Sequence, residues 1–215
     1  MRVDIAGVVT GQPSMKGKSA SFKLQGGGPF LYAYGAFGEN LLSQISEGTQ
    51  IIASGSVNYS KDGSGDWEKY INLTGSVTIL PNKDVDENEK AKLTFVSTGK
   101  ITSITPQAVK SGNMAKFTIE EASVDFRGKT EMKHSMVAFE GPADTVLSLS
   151  EGQHVLVAGQ ITRIKGRNDN WYTSFNATAV VPIEVKEPVP QSAPSGGYSS
   201  ANPQPAQSGG DELPF

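Results

Sequence analysis

The sequence predicts an all-β protein of two similar small barrels in tandem, each with one short helix, followed by a disordered tail. The first observation is an internal repeat, because residues 46–77 return, 104 positions later, as residues 150–181 and are identical at nine positions. Each copy alternates apolar and polar residues on both sides of a polar turn, which is typical of a long β-hairpin. The second observation is the length of 215 residues, which suffices for two domains of ordinary size.

The first domain, residues 1–80, contains three strand patterns before its copy of the hairpin. Three glycines and a proline at residues 26–29 force a turn, since consecutive glycines weaken any regular element. The next strand has aromatic residues at positions 30, 32 and 34, so these rings should share one strand face. In order, the predicted elements are a strand at residues 3–9, an exposed loop at 12–21, a resumed strand at 22–24, a strand at 30–37 and a helix at 39–45.

The second domain, residues 93–186, repeats the order of the first. A charged segment without aromatic residues, 81–92, precedes it and is predicted to be a linker. The main difference between the domains is a longer insertion at residues 122–133. Apart from the repeated hairpin, the predicted elements are strands at residues 95–104, 114–120 and 136–139 and a helix at 143–149.

Each domain therefore has three strands, a short helix and a long final hairpin. This order is that of the OB-fold, a five-stranded antiparallel barrel of small size. The alternative architecture is a β-sandwich, which has about seven strands in each domain and no helix. We expect two OB-fold barrels.

The tail, residues 187–215, has six prolines together with Ser, Gly, Gln and Ala. Such a segment buries too little apolar surface to offset its ordering entropy, and it is predicted to be disordered. Its tip has two carboxylates before an apolar end, which suits a basic-rimmed pocket on a partner protein. The alternative is an acidic end that only increases solubility. The predicted partner-binding residues are Asp211, Glu212, Leu213, Pro214 and Phe215.

Composition argues against catalysis and bound cofactors. The chain has no cysteine, which excludes disulfides and thiolate sites, and its two separated histidines make no convincing zinc site. The segments at residues 17–19 and 128–130 lack the first glycine of a phosphate-binding loop, and no nucleophile elbow is present. We therefore expect a binding protein without a metal or cofactor rather than an enzyme.

The net charge of −3 comes from the tail, where residues 187–215 contain three acids and no Lys or Arg. The rest of the chain balances at 19 cations and 19 acids, so overall charge gives no support to a nucleic-acid partner. No stretch has 18 consecutive apolar residues, and no apolar run follows Met1. We expect a soluble, cytoplasmic protein without a membrane partner.

Local clustering is more informative than net charge, because basic residues alternate toward the second hairpin tip and two aromatic residues follow it. Cations can follow the phosphates of a single strand while its bases stack on rings. The first tip has a similar pattern with acids among its cations. The alternative is a solvated hairpin whose tryptophan caps the barrel core. The candidate nucleic-acid-binding residues are Lys16, Lys18, Tyr32, Tyr34, Tyr59, Lys61, Trp67, Tyr70, Lys110, Phe126, Arg127, Lys129, Lys133, His134, Arg163, Lys165, Arg167, Trp171 and Tyr172.

Several other residues have a structural interpretation. A lone histidine such as His134 is more often structural or solvated than functional. Lys23 and Phe30 add to the candidate surface of the first domain, while the second domain, with fewer acids among its cations, should contribute more to binding. Four phenylalanines lie in strand patterns and are expected in the core: Phe22, Phe37, Phe117 and Phe139.

Three segments together resemble bacterial and phage single-stranded-DNA-binding proteins. They are Glu-Gly-Gln-His-Val-Leu-Val-Ala-Gly-Gln-Ile-Thr-Arg at residues 151–163, His-Ser-Met-Val-Ala-Phe at 134–139, and the Asp-Glu-Leu-Pro-Phe tip. The likeness spans both domains and the tail. It implies an OB-fold, a disordered linker and an acidic tip that docks replication and repair proteins. Tandem domains are similar to the branch of this family in which two chains supply four barrels, which implies a homodimer.

The expected function is therefore to bind and protect single-stranded DNA during replication, recombination or repair, and to recruit partner proteins through the tip. The implied location is the bacterial cytoplasm or a phage-infected cell. The first alternative is an OB-fold protein-interaction or primosome-type assembly module, whose barrels bind protein. The second is an enzyme such as a nuclease accessory, which would need turnover of single strands to support it.

Overall fold

The described part of the chain is built from eleven strands and two short helices. A computed structural model describes residues 1–61, 65, 67–84, 90–109, 112–125, 128–165 and 171–185. The elements are β1 (Arg2–Lys16), β2 (Ser19–Leu24), β3 (Phe30–Tyr34), α1 (Gly35–Leu42), β4 (Gln50–Lys61), β5 (Trp67–Leu73), β6 (Thr78–Leu80), β7 (Lys92–Val109), β8 (Gly112–Asp125), β9 (Gly128–Phe139), α2 (Glu140–Leu147), β10 (His154–Lys165) and β11 (Trp171–Ile183).

Two sets of five strands each close into a ring. In the first barrel the pairing runs β1–β2–β3–β5–β4 and returns to β1. In the second it runs β7–β8–β9–β11–β10 and returns to β7. The β3–β5 and β9–β11 pairs are parallel, and a helix follows the third strand of each ring. This topology confirms the predicted all-β OB-fold class.

Alternation along the strands fills each barrel with apolar side chains. In the first barrel Leu31 and Ile71 are fully buried on the paired strands β3 and β5. In the second barrel the rings of Phe95 and Phe175 meet edge to face with their centroids 5.6 Å apart. Aromatic pairs in this geometry add to the free energy gained from burial alone. Phe22 and Phe117 are buried in the core as predicted.

The predicted exposed loop at residues 12–21 is wrong. β1 continues to Lys16 and pairs with β2 through Ser14↔Ser21 and Lys16↔Ser19. This hairpin consists largely of exposed polar residues, so its sequence lacks the apolar alternation that marks a half-buried strand. Backbone hydrogen bonds between the two strands, rather than apolar burial, form it.

The predicted third strand and helix of the first barrel are shifted. β3 ends at Tyr34 and α1 begins at Gly35, four residues before the predicted start of the helix. The helix buries Gly38 and Leu41, so Phe37 turns outward and is 36% exposed instead of lying in the core. The apolar alternation through Phe37 could not show that the helix packs through its smaller residues.

The second barrel has a similar correction. α2 begins at Glu140 instead of the predicted residue 143, and Phe139 at the end of β9 is 45% exposed rather than buried. The described residues of the predicted insertion, 122–125 and 128–133, belong to β8 and β9, which pair as far as Asp125↔Gly128. Longer pairing of these two strands therefore accounts for the extra residues.

The two barrels join edge to edge through β1 and β7. Residues 2–6 of β1 pair antiparallel with residues 92–96 of β7, and Val3 lies opposite Phe95. These two residues are equivalent in their barrels, since Val3 pairs with Gly55 and Phe95 pairs with Gly159, the same position of the repeat. A pseudo-two-fold axis therefore passes through the Val3–Phe95 pair, and β4, β1, β7 and β10 form one continuous sheet.

The predicted domain limits correspond only in part to described residues. Met1–Val185 forms one compact unit. The domain boundaries expected at residues 80 and 93 fall at the end of β6 and beside the start of β7, and they stay a prediction. Residues 85–89 of the predicted linker and residues 187–215 of the predicted tail lie outside the described residues. Among the described residues, neither helix is long and apolar enough to span a membrane.

Candidate functional site

Four aromatic rings, which we call the ring strip, lie on the outer face of β3 and β5: Phe30, Tyr32, Tyr34 and Tyr70. Leu31 and Ala33 between them are fully buried, so the three β3 rings share one strand face, as the sequence predicted, and this face turns outward. The rings of Phe30 and Tyr32 are 6.1 Å apart, and those of Tyr32 and Tyr34 are stacked at 6.4 Å. Tyr70 meets Tyr32 edge to face at 5.2 Å.

The chemistry of the ring strip suits stacking with flat, neutral partners. Burial raises the pKa of the Tyr32 hydroxyl, and the nearby Glu68 carboxylate raises it further. Burial and the neighbouring Tyr70 also raise the pKa of Tyr34. Both phenols therefore stay uncharged at neutral pH and can donate hydrogen bonds. Lys23 places its Nζ 4.1 Å from the centre of the Phe30 ring, which adds a cation at that end of the strip.

The second barrel has fewer rings at the equivalent positions. Ala20 pairs with Ala33 in the first barrel and Ala115 pairs with Ala138 in the second, which makes Phe139 the counterpart of Tyr34. Both side chains are 45% exposed. The counterparts of Phe30, Tyr32 and Tyr70 are Ser135, Val137 and Ser174. The clustered rings of this face are therefore a property of the first barrel, whereas the charge pattern of the sequence favoured the second barrel for binding.

A cleft between the barrels continues from the ring strip. A cavity of about 200 Å³ over the strip shares Phe30, Glu68 and Lys69 with a neighbouring cavity of about 330 Å³. Arg163 and Tyr172 of the second barrel line that second cavity, and Tyr172 is 51% exposed. The side chains of the first barrel therefore lead directly to those of the second.

Lys69 bridges the two barrels beside this cleft. Its Nζ donates a hydrogen bond of 3.0 Å to the Thr173 carbonyl oxygen and lies 4.5 Å from the centre of the Phe175 ring. Burial lowers the pKa of Lys69, and the positive charge of Lys116 lowers it further. The sequence placed Lys69 with the cations and rings of the first hairpin tip. The repeat shows that positions 69 and 173 are equivalent but gives no sign that they touch, so this contact between the barrels was not predicted.

His134 and Tyr59, both predicted to bind nucleic acid, instead form a network between the barrels. His134 is 0% exposed, and its Nδ1 and Nε2 lie 2.8 Å from Tyr59 Oη and 3.0 Å from Glu121 Oε2. The buried ring has no surface left for a strand, which corrects its assignment. Tyr59 is half-buried in the same contact, and burial followed by the Glu121 charge raises the pKa of its phenol far above the ordinary value.

Glu121 receives two charge-assisted contacts in this network, from His134 and from the Met1 amino group. Burial alone would raise the pKa of its carboxyl. The two hydrogen bonds and the positive charge of the Met1 amino group outweigh burial and lower the pKa to about 2. The network therefore links Met1 with β4, β8 and β9 across the barrel junction and is a structural rather than a binding feature.

The remaining predicted residues divide into exposed ones and undescribed ones. Lys16, Lys18 and Lys61 are exposed at hairpin ends of the first barrel, and the exposed Lys133 lies 3.6 Å from Glu120. The backbone pairs Lys61 with Trp67 and Lys165 with Trp171, so each tryptophan begins a returning strand. Lys110, Phe126, Arg127, Arg167 and the tip Asp211–Phe215 lie outside the described residues, as do the side chains of Trp67, Lys129, Lys165 and Trp171.

The described residues hold no group of three or more His, Asp or Glu side chains that could bind a metal ion. The arrangement that they do form combines exposed rings, a cleft lined by cations from both barrels, and a barrel junction held by strand pairing and hydrogen bonds. Such a surface can stack flat groups and attract anions.

Comparison with known proteins finds similarity only at the level of structure. No protein-family model and no curated protein matches the chain. The single-stranded DNA binding protein from Thermus aquaticus is similar over 87% of this chain and 94% of its own length, with a TM-score of 0.62 and 16% sequence identity. A deletion mutant of that protein covers 88% of this chain and 97% of its own, with a TM-score of 0.61. The resemblance stated from the sequence is thus confirmed as a shared fold.

Proposed function

We propose that the protein binds single-stranded DNA along the ring strip and the adjoining cleft. The observation that carries this proposal is the ring strip, where three rings of β3 follow one another with centroids 6.1 and 6.4 Å apart. Successive bases of an unpaired strand can stack on such rings, at roughly 1 to 3 kcal/mol per base. Paired bases hide their faces within the duplex, so the strip favours single strands.

Charge at the cleft supports the same proposal. Lys23, Lys69 and Arg163 line one cavity beside the ring strip, and cations can follow the phosphates of a strand whose bases stack on the rings. The exposed Lys16, Lys18, Lys61 and Lys133 and the predicted tryptophans of the hairpin tips would extend this surface. The fold shared with the Thermus aquaticus protein, which is named for single-stranded DNA binding, agrees with this use of the barrels.

The proposed biological role is to protect single strands during replication, recombination or repair, without catalysis. We place this role in the bacterial cytoplasm or a phage-infected cell.

The acidic tip, residues 211–215, would recruit replication and repair proteins. Its Leu-Pro-Phe end is apolar, and the proline limits the conformational entropy lost on docking. The carboxylates of Asp211 and Glu212 suit a basic-rimmed pocket on the partner. Deleting residues 211–215 should abolish partner capture and leave DNA affinity intact, whereas retained capture would leave the tip as a solubilising end.

A homodimer completes the proposal, since it brings four barrels together for one strand. Apolar side chains lie exposed on one face of β7, β10 and β11: Val96, Leu156, Val181 and Ile183. The first barrel has apolar residues at two of these four positions, where Ile52 corresponds to Leu156 and Leu80 to Ile183. A sheet face with two-fold related apolar patches suits self-association, and two-fold dimers are the commonest oligomers.

Binding of a labelled oligo-dT, measured by fluorescence anisotropy, tests the proposed function. Tyr32→Ala should weaken binding by roughly 1 to 3 kcal/mol, while Tyr32→Phe should bind like the original protein because it keeps the ring. A duplex of the same length should bind much more weakly. If the protein shows no salt-sensitive binding of oligo-dT, the barrels serve another purpose, and the protein-interaction module becomes the better account.

A further inference from the structure

The cleft between the barrels concentrates positive charge. Its cavity of about 330 Å³ adjoins another of about 350 Å³, and the two share Gly28 and Arg163. Among the described residues that line them, one is acidic, Glu68, and the other charged side chains are cations. These cations are Lys23, Lys69, Lys90, Lys92 and Arg163. In a chain of net charge −3, the described residues of this cleft form a local excess of positive charge.

The glycine loop between β2 and β3 lets Arg163 of β10 lie directly on the backbone of the first barrel. Gly27 has φ +77°, and a Cβ atom at this residue would lie 2.8 Å from Arg163 Cδ and 3.0 Å from its Nη1. Any larger residue would therefore displace the guanidinium group. The three consecutive glycines, which the sequence marked only as a turn, thus create room for a cation that belongs to the other barrel.

Lys69 of the first barrel contributes a second cation to the same cavity. Its hydrogen bond to Thr173 holds the ammonium group beside the cavity that Arg163 also lines. Burial and the charge of Lys116 both disfavour the charged form of Lys69. An anion in the cleft would offset this cost, because a nearby opposite charge favours the ionised form of a group.

We propose that the cleft binds a phosphodiester of the DNA strand at the point where the strand passes from the ring strip to the second barrel. This inference rests on the proposed function. Phe30 ends the ring strip and lines the same cavity as Arg163 and Tyr172, so the phosphate next to a base stacked on Phe30 comes to the cations of the cleft. Arginine suits this role, since its planar group can donate two parallel hydrogen bonds to phosphate oxygens.

The salt dependence of oligo-dT binding tests the phosphate site. Each phosphate contact with a single strand contributes about 0.7 to the slope of log affinity against log salt concentration. Arg163→Gln should therefore reduce the magnitude of the slope by about 0.7 and weaken binding at low salt. Lys83→Gln, a matched loss of charge at an exposed residue that lines neither cavity, should leave the slope unchanged. Glu68→Gln should tighten binding.

A change on the DNA side separates binding from folding. The DNA set consists of oligo-dT molecules that each carry one neutral methylphosphonate linkage at a different position. At one of these positions the neutral linkage should reduce the salt-dependence slope of the original protein, and it should leave the slope of the Arg163→Gln variant unchanged. Arg163→Lys, which keeps the charge, should retain most of the slope. If the original protein binds oligo-dT and no linkage shows this coupling, the phosphate site is refuted while the proposed function stands. If the original protein does not bind at all, the proposed function itself is refuted.

Discussion

Gly55 and Gly159, which occupy one position of the repeat, are required by close contact between strands. A Cβ atom at Gly55 would lie 2.5 Å from the Asn72 carbonyl oxygen, and one at Gly159 would lie 2.1 Å from that of Asn176. At Gly159 the added atom would also be 2.8 Å from the Phe95 ring. The sequence showed that these glycines are shared, and the structure shows the physical reason.

Gly159→Ala should lower the free energy of unfolding by about 1 to 3 kcal/mol or more, because overpacking a core strains the backbone and its neighbours. Urea denaturation followed by circular dichroism measures this change. Gly141→Ala is the matched control, since a Cβ atom there meets nothing within 4 Å and alanine favours the α2 helix. Equal denaturation midpoints for the two variants would contradict the close contact.

Glu121 should make stability depend on pH. The pKa of its carboxyl is lowered from 4.5 to about 2 in the folded protein, so its stabilising contribution is complete above pH 4.5 and is lost as the pH falls towards 2. Glu121→Gln should lower the free energy of unfolding at pH 7 by about 1.5 to 3 kcal/mol, the value of hydrogen bonds to a charged group. The difference from the original protein should shrink between pH 4.5 and pH 2.

Thermal unfolding across this pH range measures the Glu121 effect. Glu131→Gln, at an exposed position of β9, serves as the control and should follow the original protein at every pH. If Glu121→Gln lowers stability against thermal unfolding by the same amount at pH 7 and at pH 2.5, the carboxylate charge is not what stabilises the junction.

At the scale of elements, strand alternation carried most of the information. It predicted that the rings at positions 30, 32 and 34 share a face, because one side of β3 must fill the barrel with Leu31 and Ala33. It failed for the β1–β2 hairpin and for the start of α1. The first is formed by backbone pairing between polar residues, and the second is set by which helix face meets the core. Neither leaves a periodic apolar signal.

Tyr34 and Phe139 provide a test of the ring strip within one molecule. They are equivalent and equally exposed, yet among the described side chains Tyr34 has a stacked ring neighbour, Tyr32, and Phe139 has none. Tyr34→Ala should therefore weaken oligo-dT binding by roughly 1 to 3 kcal/mol, and Phe139→Ala should weaken it much less. Anisotropy titrations of both variants measure the difference. Equal losses would show that the two barrels share the stacking, contrary to the distribution of rings.

At the scale of the whole molecule, the repeat predicted two barrels and could not predict how they join. Residues 2–6 and 92–96 alternate like any other half-buried strand, so their pairing leaves no mark in the sequence. The physical reason for the pairing is that one edge of β1 would otherwise lack hydrogen-bond partners. β1 pairs with β4 through residues 2–8 and with β2 through residues 9–16. On the side of residues 2–6 that faces away from β4, β7 supplies the missing partner strand. This junction also places Arg163 and Lys69 at the cleft.

The proposed dimer uses the outer face of the sheet that crosses this junction. Light scattering at micromolar concentration should give about twice the chain mass of 22.8 kDa. Val181→Asp should reduce the mass to that of one chain, because it buries a charge in the interface. Val109→Asp, at another exposed valine outside that face, should leave the dimer intact. A single-chain mass for the original protein would leave two barrels, rather than four, to hold the strand.

Ultraviolet cross-linking of oligo-dT to the full chain, followed by mass spectrometry of the cross-linked peptides, tests the central claim most directly. Thymine cross-links to aromatic side chains that it stacks on, so the method reports the path of the strand residue by residue. The predicted result is cross-links at the ring strip of the first barrel together with Tyr172 of the second. Cross-links confined to Phe37 on the helix, or to the sheet face around Val96 and Val181, would contradict this path.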